Sequence, residues 1–67
     1  MRGYNRIDEF CNSLANNWNK VPDWRFGQLV WNVISACQKQ GKDAFYMEDD
    51  EMREFIKNYI KEITKDA

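Results

Sequence analysis

The side chains able to do chemistry are few, and their spacing narrows what that chemistry could be. The 67 residues contain no histidine, so the side chain used most often as a general acid or base is missing. Ser13, Ser35, Cys11 and Cys37 have no neighbouring base to activate them. Both cysteines fall on apolar stripes, which predicts small buried hydrophobes rather than nucleophiles. Two widely spaced cysteines without histidine make neither a zinc ligand set nor a disulfide framework, and no metal or cofactor is expected. On these residues the chain is not an enzyme.

Carboxylates are the densest functional group. Asp43, Glu48, Asp49, Asp50, Glu51 and Glu54 put six acids into twelve residues, opposed within that stretch only by Arg53. The spacing lacks the D-x-D-x-D-G turn and the distal glutamate of a calcium loop. One reading makes Asp49, Asp50, Glu51 and Glu54 a contact surface for a basic partner, presenting negative potential to a cationic groove. The reading favoured from the residues alone is helix-start chemistry on a solvated face.

Arg25, Gln28 and Asn32 stand at i, i+3 and i+7 and share one side of a helix. Their structural reading has Arg25 forking onto a carboxylate between Asp43 and Asp50, with Gln28 and Asn32 tying down a connector. The alternative is recognition. Three tryptophans in so short a chain point to binding, because exposed Trp and Tyr concentrate at interfaces. Trp18 lies on an apolar stripe and is expected in the core. Trp24 and Trp31, seven apart, form a candidate interface pair, with Tyr46 as a further contact residue. The competing account has two flanking helices bury both.

These groups must be held by helices. Ile7, Phe10, Cys11, Leu14, Ala15 and Trp18 follow the i, i+3, i+4, i+7 rule, predicting a helix over about 6–18 with Asn5 as its cap and Asp8 in its first turn. Pro22 marks a turn. Asp23 is the expected cap of a second helix over 24–40, closed by Gly41. Phe26, Leu29, Val30, Val33 and Cys37 form its stripe, and Trp24, Trp31 and Ile34 lie off it, so this central helix is apolar around much of its circumference. Gly27 in its first turns implies a close approach by another backbone or ring. Phe45, Tyr46 and Met47 read as an extended connector covering the core. Met52, Phe55, Ile56, Tyr59, Ile60 and Ile63 give a third helix over 49–64, with acids at its start and Lys57, Lys61 and Lys65 towards its end. Either Glu48 or Asp49 caps it, and Glu48 spaces Met47 and Met52 as a hydrophobic staple.

The expected fold is therefore all-α, a compact three-helix domain over residues 1–67 with an aromatic-rich extended connector before the last helix. A chain of this size buries only about 60% of the surface that its unfolded form exposes, so a single domain with a thin stability margin is expected. Aromatics at 15% argue against disorder despite 31% charge and a mean hydropathy of -0.82. No apolar run approaches the roughly 20 residues of a membrane span, nor does the start resemble a signal peptide, so a cytoplasmic setting is expected.

The stretches Pro22-Asp23-Trp24-Arg25-Phe26-Gly27-Gln28-Leu29-Val30-Trp31-Asn32 and Asp43-Ala44-Phe45-Tyr46-Met47-Glu48-Asp49-Asp50 resemble a P-D-x-R-x-G-Q-L…N…D-P-F-Y-x-E-D-D pattern. That pattern belongs to small bacterial and phage proteins of uncharacterised activity. Ala44 stands where the pattern has proline, which makes the connector less rigid. The resemblance covers about 30 residues and implies a phage or mobile-element setting, where small proteins often bind and block a host protein.

The functional expectation is a non-enzymatic protein-binding module, an inhibitor of a host defence or regulatory protein, whose partner is an unidentified host protein. A homodimer through the central helix, burying Trp31 and Trp24, is also expected because so small a core gains from association. The alternatives are a structural homo-oligomer subunit and a nucleic-acid-associated accessory protein. The latter draws on six bases against three acids over residues 2–42, if Arg2, Arg6, Lys20, Arg25, Lys39 and Lys42 converge in space.

Overall fold

Apolar residues recurring every three or four positions become three helices in the computed structural model, which describes residues 5–65. They are α1 (Asn5–Trp18), α2 (Phe26–Lys39) and α3 (Asp49–Thr64), with no strand among the described residues. The chain is an all-α three-helix domain. It measures 40 × 26 × 20 Å, so each helix lies close to the surface.

The core is shared by two helices. Leu29, Val33 and Cys37 of α2 interlock with Phe55, Ile56 and Ile60 of α3. From α1, Phe10, Leu14 and Trp18 pack against this cluster while half-buried, and its only buried residue is Asn17. α1 ends at Trp18, as its pattern suggests, and the buried Asn17 is satisfied by its Nδ2 donating to the Ser13 carbonyl one turn back, at 3.0 Å. α1 lies mainly along α3, where Arg6 pairs with Asp49 and Arg53 approaches Glu9 at 3.7 Å. Ile7, Cys11 and Ala15 of the expected α1 stripe are exposed, because α2 does not close over that side. Cys11 is thus corrected from a buried hydrophobe to a surface thiol.

α2 starts two residues later than its pattern suggests, and Asp23 lies in the preceding turn instead of capping it. The Trp18 indole Nε1 donates to the Trp24 carbonyl at 2.8 Å, occupying an acceptor that a helix begun at Trp24 would use itself. Arg25 becomes the extended N-cap residue, and Gln28 Oε1 accepts its N–H at 2.8 Å. Only this half of a capping box exists, since an arginine side chain has no acceptor to return. At the far end Gly41 adopts φ 72°, and Lys42 N–H reaches the Cys37 carbonyl at 2.9 Å while Gly41 N–H reaches Gln38 at 3.0 Å. This is the left-handed closure expected of Gly41.

The connector is aromatic-rich, as expected. Asp43 bends it: its Oδ1 accepts the Phe45 N–H at 3.0 Å and its carbonyl accepts the Tyr46 N–H at 3.1 Å. Phe45 and Tyr46 thereby turn outward instead of covering the core, and Ala44 and Met47 pack inward. Glu48 takes the cap position of α3, its carbonyl accepting the Met52 N–H at 2.9 Å. Met47 and Met52 occupy the staple positions and both pack on the core.

Candidate functional site

The acids do not form one uncompensated patch. Asp49 faces α1 and pairs with Arg6. Glu51 faces the end of α2, 3.9 Å from Lys42, whose Nζ also lies 5.8 Å from the Phe55 ring centroid. Asp50 Oδ1 accepts the Glu51 N–H at 2.9 Å, which is helix-start chemistry. Among the described residues, the Glu54 side chain alone of the four is exposed with no ion pair or hydrogen bond. With Lys42, Glu51, Asn58 and Glu62 it borders an open hollow of about 600 Å³ floored by Phe55 and Tyr59.

Arg25 is not anchored to this cluster. It stands exposed at the start of α2 and makes no ion pair among the described residues, because Asp49 and Glu51 already have nearer cations from α1 and the end of α2. Neither Gln28 nor Asn32 ties down the connector: Gln28 bonds the first turn of its own helix, and the half-buried Asn32 makes no side-chain hydrogen bond to another described residue.

The structure brings the tryptophans together in part. Trp24, Gly27, Gln28, Trp31 and Asn32 line a shallow groove of about 390 Å³. Trp24 is half-buried, its ring 6.5 Å from that of Tyr59, whereas Trp31 is 73% exposed. A Cβ built on Gly27 meets nothing within 4 Å, so no neighbour approaches it closely; the missing side chain leaves the groove floor open between the two rings. Phe45 and Tyr46, at 85% and 77% exposed, stack edge-on at 4.9 Å and project from the connector.

A third opening is not marked by any motif in the sequence. Phe10 and Leu14 of α1, Leu29, Val33 and the more exposed Phe26, Val30 and Ile34 of α2, and Met52 and Ile56 of α3 enclose an apolar groove of about 250 Å³. The signal for it was the apolar circumference of α2, which exceeds what two neighbouring helices can cover.

Cys37 is fully buried, its Sγ 3.8 Å from Met47 Sδ. Burial pushes its thiol up from the ordinary value, with Lys42 opposing and Glu51 reinforcing the shift. Among the described residues no group of three or more Cys, Asp or Glu side chains is placed to hold a metal ion. No helix among them is long and apolar enough to cross a membrane. Of the bases considered for a nucleic-acid surface, Arg6 and Lys42 face carboxylates, and Arg25 and Lys39 flank opposite ends of α2, about 20 Å apart at 1.5 Å per residue. Arg2 lies outside the described residues. Compared with protein-family models, curated proteins and solved structures, the chain matches none.

Proposed function

We propose that this chain is a non-enzymatic protein-binding module that acts by covering a surface of a protein partner. The observation that carries the reading is the exposed Trp31 sharing an open groove with Trp24, with the Phe45–Tyr46 tip projecting beyond the far end of the same helix. Large exposed rings beside amide side chains supply apolar area and hydrogen-bonding groups together, the composition of binding hot spots. Asp50 and Glu54 add a negative fringe that steers approach, while Asp49 and Glu51 serve the fold through Arg6 and Lys42. A phage or mobile-element setting, and a host defence or regulatory protein as the target, follow from the resemblance of residues 22–32 and 43–50.

The test is affinity capture from the host with the parent chain and with Trp31→Glu plus Tyr46→Ser. A stoichiometric protein retained by the parent and lost by the variant, at unchanged circular dichroism, supports the reading. Equal retention by both overturns the assigned surface. A mobility-shift series across salt separates the nucleic-acid alternative, since phosphate contacts impose a steep salt slope.

A further inference from the structure

The apolar groove between α1 and α2 lies apart from the Trp24–Trp31 groove and shares no lining residue with it. Ile34 and Met52 border both the apolar groove and the hollow beneath Phe45, so one apolar surface runs from Phe26 along α2 to the connector. Along it Phe26, Val30 and Ile34, at 55%, 36% and 39% exposed, recur at i, i+4 and i+8 and form a ridge beside the groove.

We infer that this face receives the same face of a second copy of the chain, about a two-fold axis near Val30. A ridge flanked by its own groove is self-complementary: one rotation seats each ridge in the partner's groove. Rows spaced by four interdigitate with like rows at a crossing angle near about -50°. Between Arg25 and Lys39, α2 carries no charged side chain, so the helix itself brings no charge to the seam, and Lys42 and Asp43 stand at its connector end.

A stable pair needs about 800 Å² from each partner, out of the 5482 Å² that the chain exposes. At about 150–250 Å² for a whole aromatic side chain, Phe26 and Phe45 leave on the order of 300 Å² of ring open. Val30, Ile34 and the walls of the groove extend this apolar patch, and the polar rim usual at interfaces adds to it.

Sedimentation equilibrium from micromolar to near-millimolar concentration tests this with the isolated protein. The expected mass is twice 8.1 kDa, falling to the monomer in Val30→Glu. Because that substitution sits beside the core, a Val30→Cys variant on a Cys11→Ser background gives a second readout. Val30→Cys is expected to oxidise to a covalent dimer much faster than Lys57→Cys, since Cα atoms near the axis come within about 4–7 Å of each other. A strict monomer throughout, or Val30→Cys cross-linking no faster than Lys57→Cys, overturns the inference. Both readouts need no other protein, so their failure leaves the partner-binding proposal standing, and the failure of that proposal leaves this one.

Discussion

Arg25 shows how a single residue is misassigned by chain logic. A lone arginine on an apolar helix suggests a counter-charge, and the nearest acids in sequence open α3, but Arg6 and Lys42 reach them first. Arg25→Met is therefore expected to leave thermal stability within about 0.5 kcal/mol of the parent. Asp49→Asn should cost up to about 1 kcal/mol and lose that effect in high salt, since the Arg6 pair is partly exposed. Paired melts at low and high ionic strength check both. The cysteines part in the same way: Cys11 should react with a thiol reagent in the folded protein, and Cys37 only on unfolding. Its raised thiol value has a definite sign. Stability from burying the neutral thiol is complete below the ordinary 9.0 and is lost as pH climbs through the folded value.

At the scale of elements, what was legible was local. Gly41 ends α2 through bonds that span six residues, whereas the choice between Glu48 and Asp49 as the cap of α3, open in the sequence, falls to Glu48 only in the structure. What sequence periodicity missed was tertiary. The start of α2 is displaced by an indole from α1, and the connector aromatics point outward because Asp43 folds the backbone beneath them. The Trp24–Trp31 pair was legible from its seven-residue spacing, although Trp24 precedes the helix; the apolar groove was not, since it depends on α1 and α2 standing apart. Gly27→Ala separates fold from function at this scale. With nothing near the added methyl, the substitution should stabilise by about 0.5–1 kcal/mol, raising the melting midpoint by several degrees. A methyl in the groove floor should at the same time weaken capture of the partner.

Across the whole molecule, charge and apolar surface are divided between helices. α3 and the connector carry most of the acids, while α2, uncharged between its ends, presents rings and aliphatic side chains. The division predicts different kinetic signatures for variants on each. Asp50→Lys with Glu54→Lys should slow association with the partner and flatten its salt dependence, whereas Trp31→Glu should chiefly speed dissociation. Surface plasmon resonance across ionic strengths distinguishes them. An unchanged association rate in the double variant would confine the acids to opening α3.

The uncharged run of α2 from Phe26 to Gln38 also determines how an assembly through it responds to its surroundings. Contacts without ions are not loosened by dilute salt, but apolar association weakens on cooling and strengthens in sulfate. Two copies joined there should come apart in the cold and rejoin on warming, with a negative heat-capacity change on pairing. The chain's oligomeric state is then read out by temperature, and samples kept on ice would contain more monomer than those at the temperature of growth.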